Sequence, residues 1–514
     1  MLTREDVLAG LPTRLHQILD RHPAIHDGAP ALHERGETLS YGELRIAVAS
    51  LAERLALDGI RGGDRVMLVA ENCGLLVAAL LALSQLDAWA VVVNARLSPG
   101  EIDNIRQHCG ARRVLYGSSV SRDAAAHAEY AGAEGHTLGG LGRYHLGPLN
   151  EDCSPEPVEA DPTRQVAAMI YTTGTTGAPK GVMLTHRNLL YIAHSASLLR
   201  QLGSSDRVYA VLPISHVYGL SAVCLASLFA GAALQLEPRF DPEELARALR
   251  EDGVTLMQGV PAMYARLLEL ADAGRLELKA PHLRFMYAGG SPLDETLKQA
   301  VETRFGIPLH NGYGLTESSP TVSQTRIDEP RRDTSVGRPI PGLEIRLLDN
   351  QRQHEVASGE VGELWVRGPN VMKGYYRAPE QTADVLDADG WLNTGDLARQ
   401  ASDGALFIVG RSKELIIRSG FNVYPPEVEA VLNAYPGVVL SAVVGRPVEG
   451  NEEVVAFLQV ADPDSFDAGG LKAFLADRLS PYKRPMEIRV LAALPAAATG
   501  KVLKHELKKL ALNA

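Results

Sequence analysis

Apolar and polar positions alternate along the first half of the chain in blocks typical of a helix followed by a buried strand. Ser40-Tyr41-Gly42-Glu43 has the spacing of a capping box, in which serine and glutamate side chains bond reciprocally to backbone amides. Apolar residues three or four positions apart then continue over residues 44–55, which predicts one buried helix face. Gly59 fits the end of this helix, and the apolar run 66–70 predicts a short strand.

The same order recurs later in the chain. Asp241 can cap a helix, Pro242 fits its first position and Gly253 fits its end. Residues 254–257 then predict a strand. This repeated alternation predicts an α/β fold of layered helices and mostly parallel sheets.

A change of pattern near residue 410 predicts two domains. Residues 139–162 are rich in Gly, Pro and acidic side chains, which indicates a surface loop within the first domain. After Gly410, short strands (438–444 and 454–460) alternate with helices (426–432 and 471–479) on a compact scale. We therefore predict a large N-terminal domain, residues 1–410, and a small α+β C-terminal domain, residues 411–514, with the boundary near Lys413.

Composition narrows the class of protein. The length of 514 residues is too great for one hydrophobic core, so length alone predicts at least two domains and leaves three open. The net charge of -11 gives no electrostatic basis for binding nucleic acid or an anionic membrane surface. The most apolar stretch, 75–93, is interrupted by Ser84, Gln85 and Asp87, so it predicts a buried helix and strand rather than a membrane span.

The cysteines and the first residues bear on the compartment. The four cysteines are widely spaced and include no C-x-x-C pair, which suggests neither a disulfide framework nor a zinc site. The first residues are charged and acidic, unlike a signal peptide. A cytoplasmic location is therefore expected.

A candidate phosphate loop follows the apolar run 166–171, which predicts a buried strand. Glycines let backbone amides converge on an anion, threonine hydroxyls add donors, and a lysine adds positive charge. The residues expected to hold a triphosphate are Thr172, Thr173, Gly174, Thr175, Thr176, Gly177 and Lys180. The loop differs from the Walker P-loop, because Gly174 and Gly177 lie too close together and Gly-Lys-Ser/Thr does not follow.

This loop resembles the signature of the acyl-adenylate-forming superfamily, which includes acyl-CoA synthetases, coumarate–CoA ligases, peptide-synthetase adenylation domains and firefly luciferase. The resemblance continues in order over nearly the whole chain. The further matching segments are Tyr287-Ala288-Gly289-Gly290-Ser291-Pro292, Asn311-Gly312-Tyr313-Gly314-Leu315-Thr316-Glu317, Trp391-Leu392-Asn393-Thr394-Gly395-Asp396, Gly410-Arg411-Ser412-Lys413-Glu414-Leu415-Ile416 and Gly500-Lys501. The resemblance implies an enzyme that uses ATP, Mg²⁺ and coenzyme A to convert a carboxylic acid into acyl-AMP and then into acyl-CoA.

The resemblance also implies roles for single residues. Tyr313 packs on adenine, Thr316 contacts the α-phosphate and Glu317 helps to hold Mg²⁺. Asp396 and Arg411 reach the ribose hydroxyls. Further residues that border the nucleotide are Gly289, Gly290, Asn311 and Gly312.

Lys501 matches the catalytic lysine of the first half-reaction. The residues before it, Pro495-Ala496-Ala497-Ala498-Thr499, lack the basic neighbour usual in the family. The resemblance further implies that a mobile C-terminal domain rotates about Lys413. That rotation moves Lys501 away and brings Ser419-Gly420-Phe421 to the pantetheine tunnel for coenzyme A.

The acyl pocket is expected around Pro213-Ile214-Ser215-His216-Val217-Tyr218-Gly219. His216 lies where coumarate-type and fatty acyl ligases carry a histidine, and no Asp occurs between Val211 and Leu220 to hold an amino acid's ammonium group. The other expected wall residues are Tyr218, Val260, Ala288, Gly289, Gly312, Pro320 and Val322. Small and apolar side chains favour an aliphatic (fatty) or aryl acid, whereas Arg239 leaves open a dicarboxylic acid of the malonate type.

Other functions remain as alternatives. The chain could load an acyl group onto a carrier protein, act as a luciferase-type oxygenase, or serve as an inactive nucleotide sensor. The presence of Glu317, Asp396, Arg411 and Lys501 together argues against the sensor. The expected partners are small molecules only, and a homodimer is left open.

Overall fold

A computed structural model of the protein describes residues 2–21, 27–173, 179–349, 351–419, 421–448, 451–463, 466–496 and 502–512. The α-helices, in chain order, are α1 (Arg4–Leu8), α2 (Tyr41–Leu57), α3 (Gly74–Gln85), α4 (Pro99–Cys109), α5 (Arg122–Tyr130), α6 (His186–Leu199), α7 (Ala226–Ala230), α8 (Pro242–Glu251), α9 (Pro261–Asp272), α10 (Glu295–Phe305), α11 (Pro379–Ala383), α12 (Pro425–Asn433), α13 (Ala468–Arg478) and α14 (Lys504–Leu512).

The strands, in chain order, are β1 (Pro30–Glu34), β2 (Glu37–Ser40), β3 (Arg65–Ala70), β4 (Trp89–Asn94), β5 (Arg113–Tyr116), β6 (Glu134–Leu138), β7 (Gly142–Leu146), β8 (Val166–Thr173), β9 (Pro179–Thr185), β10 (Arg207–Ala210), β11 (Ala233–Leu236), β12 (Leu256–Gly259), β13 (Phe285–Ala288), β14 (Leu309–Gly314), β15 (Thr321–Gln324), β16 (Arg338–Pro339), β17 (Glu344–Leu348), β18 (Val361–Arg367), β19 (Gly374–Tyr375), β20 (Leu392–Gln400), β21 (Leu406–Arg411), β22 (Ile416–Arg418), β23 (Phe421–Val423), β24 (Val438–Val448), β25 (Asn451–Val460) and β26 (Glu487–Leu491).

Two large sheets form the body of the molecule. One sheet runs in the order β19-β9-β8-β4-β3-β5-β7-β6, and the other in the order β16-β15-β14-β13-β12-β10-β11-β1-β2. Their centres, β8-β4-β3-β5 and β14-β13-β12-β10-β11-β1, are parallel, whereas the flanking strands pair antiparallel. The predicted α/β class with mostly parallel sheets is confirmed.

Helices cover both faces of both sheets. The largest apolar core joins α2, α3 and α6 to inward-facing residues of both sheets, such as Leu68 and Leu256. Their chain neighbours Met67 and Met257 face the opposite sides, against α4 and α5 in one case and α8 and α9 in the other. Because strand side chains alternate between faces, each central strand must be apolar on both.

The predicted helix starts are present. Ser40 caps α2, and its side chain and that of Glu43 form the reciprocal capping box. Asp241 caps α8 through the backbone amides of Glu243 and Glu244. The apolar stretch 75–93 is α3 followed by β4, and within the described residues no helix is long and apolar enough to cross a membrane. The loop predicted for residues 139–162 is wrong in part, because β7 lies there and pairs with β5 and β6.

The region after β16 differs from the two large sheets. Strands β17, β18, β20 and β21 form an antiparallel sheet that ends at Arg411, where a 3-10 helix, Ser412–Glu414, follows. Beyond it, β24, β25 and β26 form a separate sheet covered by α12, α13 and α14. This α+β arrangement is the predicted small C-terminal unit.

Candidate active site

The phosphate loop joins two antiparallel strands, β8 and β9, near one edge of a large sheet. Strands β8 and β9 pair over their whole length, with Thr172 opposite Lys180. Gly174, Thr175, Thr176 and Gly177 lie outside the described residues, as does the side chain of Thr173. The two residues that can be placed, Thr172 and Lys180, stand side by side at the mouth of the loop.

Tyr375 contacts both Lys180 and Glu317. The Lys180 ammonium lies 5.0 Å from the centre of the Tyr375 ring, at a distance suited to a cation–π contact. The Tyr375 hydroxyl donates a hydrogen bond of 2.8 Å to Glu317 Oε1. Burial and the neighbouring Glu317 carboxylate raise the pKa of Tyr375, so this hydroxyl stays protonated. Strand β19, which carries Tyr375, pairs with β9 and so fixes this chain of contacts.

Glu317 suits Mg²⁺ as a single protein carboxylate. Within the described ranges, no group of three or more His, Cys, Asp or Glu residues could hold a metal ion. Mg²⁺ commonly takes one or two carboxylates and completes its shell with water and substrate phosphates. A lone glutamate in the same short 3-10 helix as Thr316 and close to Lys180 therefore fits a magnesium–nucleotide complex.

Three predicted nucleotide ligands meet across two sheets. The Tyr313 hydroxyl donates a hydrogen bond to Asp396 Oδ2. Asp396 lies opposite Arg411 in the β20–β21 pair, and Arg411 Nε is 3.1 Å from Asp396 Oδ1. Burial by itself would lower the pKa of Arg411. The carboxylates of Asp396 and Glu414 have the larger combined effect, so the pKa of the arginine is raised. The structure thus joins the matching segments 311–317, 391–396 and 410–416 in one place.

Asn311 supports the strand that carries Tyr313. Its amide nitrogen donates to the backbone carbonyls of Thr334 and Ser335, and its side-chain oxygen accepts from the Gly312 amide. The side chain therefore holds the loop after β15 against β14.

The predicted acyl-wall residues cluster around one ring that the sequence analysis did not assign to the wall, Tyr287. A Cβ atom on Gly289 would lie 3.1 Å from Tyr218 Cε1 and 3.3 Å from Tyr287 Cε1. A Cβ atom on Gly312 would overlap the Tyr287 hydroxyl at 1.7 Å. The Tyr218 and Tyr287 rings are 6.1 Å apart in an edge-on arrangement. Tyr287 stands at the start of the matching 287–292 segment, which was the signal available in the sequence.

The remaining wall residues differ in how directly they join this cluster. Val260 is the nearest neighbour of a Cβ atom built on Gly290, at 3.5 Å. Pro320 approaches the backbone of Gly314, whose Cβ atom would lie 2.0 Å from the Pro320 carbonyl. Ala288 and Val322 are fully buried.

His216 lies two residues before the π-helix Tyr218–Leu225. Its backbone carbonyl accepts from the Leu220 amide, and within the described part of the chain its ring has no hydrogen-bond partner. Burial, aided by the positive charge of Arg96, lowers the pKa of His216. The imidazole is therefore neutral at pH 7.

The residues predicted for the hinge and the pantetheine tunnel lie in the C-terminal part. Lys413 belongs to the 3-10 helix after β21, and its carbonyl accepts from Lys508 Nζ at 3.5 Å. Phe421 is 54% exposed and stacks on Tyr482, with ring centres 4.6 Å apart. The Ser419 amide donates to Asn451 Oδ1. Gly420 and Lys501 lie outside the described residues.

Arg239 is occupied by the protein itself. Its guanidinium pairs with Glu71 at 2.7 Å and with Asp123 at 2.6 Å. The arginine that could have received a second substrate carboxylate is therefore already paired, and the dicarboxylic acid alternative is not favoured.

Comparison with known proteins gives consistent results over most of the chain. A family model described as AMP-binding enzyme matches residues 19–376, and one described as AMP-binding enzyme C-terminal domain matches residues 427–501. A feruloyl-CoA synthase from Amycolatopsis is 37% identical over 494 residues, covering 95% of this chain and 97% of the relative.

Solved structures agree with the sequence comparison. ATP-bound MatB from Rhodopseudomonas palustris superposes with a TM-score of 0.85 at 30% identity, covering 97% of this chain and 98% of that one. O-succinylbenzoate coenzyme A synthetase from Bacillus subtilis, in complex with ATP and magnesium ion, superposes with a TM-score of 0.80 at 29% identity, covering 96% of this chain and 99% of that one. The predicted AMP-forming acid–thiol ligase is confirmed, and the chain belongs to the AMP-binding enzyme family.

Proposed function

We propose that this ligase acts on an aryl carboxylic acid. The aromatic side chains of Tyr218 and Tyr287 in the acyl wall support this assignment. The chain is an ATP-dependent acid–CoA ligase that uses ATP, Mg²⁺ and coenzyme A. The 37% identity to a feruloyl-CoA synthase favours an aryl acid over a fatty acid. Loading of a carrier protein and a malonate-type acid are not favoured.

The first half-reaction joins the acid to the nucleotide. A carboxylate oxygen attacks the α-phosphorus of ATP, a new P–O bond forms, and the bond to the β-phosphate breaks, so that pyrophosphate leaves with the electron pair. Several anions must approach one another, so fixed positive charges and donors supply most of the stabilisation. We assign Lys180 and the loop that begins at Thr172 to the leaving phosphates, Thr316 to the α-phosphate, and Lys501 to the reacting oxygens.

The nucleotide itself is held on the opposite side. We assign the Tyr313 ring to adenine, with Gly290 allowing close approach. We assign Asp396 and Arg411 to the ribose hydroxyls. Their existing contacts support this assignment, because Asp396 is anchored by both Tyr313 and Arg411 and so presents a fixed acceptor. Glu317 would hold Mg²⁺, which supplies charge neutralisation at the phosphates when bound.

The second half-reaction transfers the acyl group to the thiol. The sulfur of coenzyme A forms a bond to the acyl carbon, the bond from that carbon to the AMP oxygen breaks, and the thiol proton is released. We propose that the division at residues 410/411 separates two moving parts, with Lys413 as pivot. The change from the antiparallel sheet ending at Arg411 to the separate C-terminal sheet supports this division. Ser419, Gly420 and Phe421 would then line the pantetheine path.

We also propose that the protein is located in the cytoplasm. Cys73, Cys109, Cys153 and Cys224 are free and buried, which suits the reducing cytoplasm. The proposed aryl substrate does not favour a role in fatty acid metabolism, and a homodimer stays open.

A panel of acids tests the aryl assignment. Pyrophosphate release and acyl-CoA formation would be measured for cinnamic, arylacetic, medium-chain fatty and dicarboxylic acids, each with and without coenzyme A. We expect the highest kcat/KM for aryl acids, and sustained turnover only with coenzyme A. A phosphopantetheine carrier protein replaces coenzyme A in the control reaction. Preferred turnover of fatty or dicarboxylic acids, or of the carrier protein, would contradict the proposal.

A further inference from the structure

A buried arginine lies directly behind the acyl wall. Arg200, at the end of α6, is only 1% exposed and belongs to the helical layer between the two large sheets. Its guanidinium stands over the Tyr287 ring, 4.7 Å from the ring centre. Tyr287 in turn touches the positions of Gly289 and Gly312. One aromatic ring therefore separates this charge from the residues assigned to the acyl group.

The Arg200 guanidinium donates hydrogen bonds to neutral acceptors. Nη1 donates to the Ala222 carbonyl at 2.5 Å and to Gln258 Oε1 at 2.7 Å, and Nη2 donates to Gln324 Oε1 at 3.3 Å. Within the described ranges it forms no ion pair with a carboxylate. Buried arginines are ordinarily paired, because an isolated buried charge is costly. The charge of Arg200 also affects His310 on β14. The pKa of His310 is lowered to about 4, mainly by burial and further by the positive charges of Lys298 and Arg200.

Hydrogen-bond donors are left over around this arginine. In the part of the chain that the structure describes, Arg200 Nε, Gln258 Nε2 and Gln324 Nε2 are buried and have no hydrogen-bond partner. The two glutamine side chains are 0% and 2% exposed. Both amide oxygens already serve the guanidinium, so the amide nitrogens face away from it. The Tyr218 hydroxyl, whose ring lies edge-on to Tyr287, is also buried and has no partner among the described residues.

An excess of buried donors favours a ligand that brings an acceptor. A buried donor without a partner is costly, and a ligand acceptor recovers that cost. An apolar ring would leave the donors unpaired, whereas a ring oxygen could accept from them after a small side-chain shift. Such a site discriminates strongly, because the analogue without the oxygen leaves buried polar groups unpaired.

We propose that Arg200, Gln258 and Gln324 form the polar end of the acyl pocket and select aryl acids with a hydrogen-bond-accepting oxygen on the ring, remote from the carboxyl group. This rests on the proposed aryl substrate and adds the chemistry by which the ring is recognised. Arg200 is a specificity-determining residue here, acting beside Tyr287 and Tyr218 rather than on the reacting atoms.

Size-matched substrates test the proposal without changing the protein. The kcat/KM for pyrophosphate release would be compared for 4-hydroxycinnamate and 4-methylcinnamate, which differ in the oxygen but little in size. We expect the hydroxyl compound to be preferred by at least about 10²-fold, since a site built to bind a hydroxyl rejects its analogue by ~10⁴-fold or more. A ratio near one would overturn the proposal.

Matched variants locate the effect. Arg200→Met should reduce the hydroxyl-to-methyl ratio at least about tenfold, with the ATP KM little changed. The control is Arg65→Met, which removes another arginine that is 1% exposed and held by backbone carbonyls, those of Gly63, Cys109 and Ser154. It should leave the ratio unchanged. An unchanged ratio in a folded Arg200→Met protein would overturn the proposal.

Two more variants cover the case in which Arg200→Met does not fold. Gln258→Met and Gln324→Met should each lower the ratio, and an unchanged ratio in both would overturn the proposal. Failure to adenylate any aryl acid would instead refute the proposed function. Adenylation of aryl acids with a ratio near one would refute only the role of the polar end.

Discussion

Among single residues, two glycines allow aromatic side chains to approach the acyl wall. A Cβ atom on Gly289 would be in tight contact with Tyr218 and Tyr287, and a Cβ atom on Gly312 would overlap the Tyr287 hydroxyl. These close approaches explain why the smallest residue stands at both positions.

Gly289→Ala should narrow the range of accepted acids and leave the ATP KM near its wild-type value. Gly312→Ala should have the larger effect, because Tyr287 must move to admit the new methyl group. The measurement is kcat/KM over a series of acids of increasing ring size, with ATP titrated separately. An unchanged acid profile, or a raised ATP KM alone, would remove these glycines from the acyl wall.

His310 should make the stability of the protein depend on pH. Burial and the nearby cations hold its pKa at about 4, whereas an unfolded histidine titrates near ~6.5. The unfolded state therefore binds the proton first, so stability is lost as pH falls from ~6.5 towards about 4 and changes little further below that. The loss attributable to His310 is up to about 3 kcal/mol.

Thermal unfolding of His310→Gln at pH 7 and pH 5 measures this contribution. The variant should lose less stability than wild type between the two values. His282→Gln, at an exposed position, serves as control and should behave as wild type. Equal pH dependence in wild type and His310→Gln would contradict the assignment.

For the helices and strands, local sequence signals were largely sufficient. Ser40 and Asp241 marked helix starts correctly because a capping side chain acts on amides only two or three residues away. Strand β7 was missed because its sequence is largely polar and the reason for its extended conformation is distant: it pairs with β5 and β6. The local composition of a segment does not show which strand it pairs with.

Asp241→Ala should destabilise the protein by about 1 kcal/mol, because the Glu243 and Glu244 amides lose their acceptor. Asp241→Asn should stay near wild type, since asparagine caps equally well. The measurement is the midpoint of thermal unfolding for the three proteins. Equal midpoints for Asp241→Ala and wild type would show that α8 does not depend on this cap.

For the molecule as a whole, the two half-reactions should be separable by substitution. Lys501→Ala should abolish ATP–pyrophosphate exchange and leave thioester formation from supplied acyl-AMP largely intact. The reason is that a charge bridging the carboxylate and α-phosphate acts only while the adenylate forms. Equal loss of both half-reactions in a folded variant would refute this assignment.

Lys413→Pro should trap one arrangement of the two domains, because proline fixes φ near ~-65° at the proposed pivot. Gly420→Trp should block the pantetheine path by a different route. Both variants are expected to make acyl-AMP and one burst of pyrophosphate, and then to stall with coenzyme A present. Quenched product analysis counts acyl-AMP and acyl-CoA per enzyme. Normal acyl-CoA turnover in both variants would contradict the two-conformation mechanism.

Chemistry that depends on residue type and order is determined by the sequence alone. The threonine- and glycine-rich loop after 166–171 and the order of the matching segments resemble an adenylate-forming ligase, and the apolar character of the wall favours an uncharged acyl tail. Such features are local, because a phosphate needs contiguous donors and a helix needs its cap within one turn.

Relations between distant segments required the folded chain. Asp396 meets Arg411 because β20 pairs with β21, and it meets Tyr313 because β14 of a large sheet packs close to β20. Lys180 and Glu317 are brought together through Tyr375 on β19. The position of Arg200 behind Tyr287 had no sequence signal, since an arginine at a helix end is ordinarily exposed. The burial of a side chain depends on which helices and strands pack against it. This is a property of the layered fold and not of a single segment of sequence.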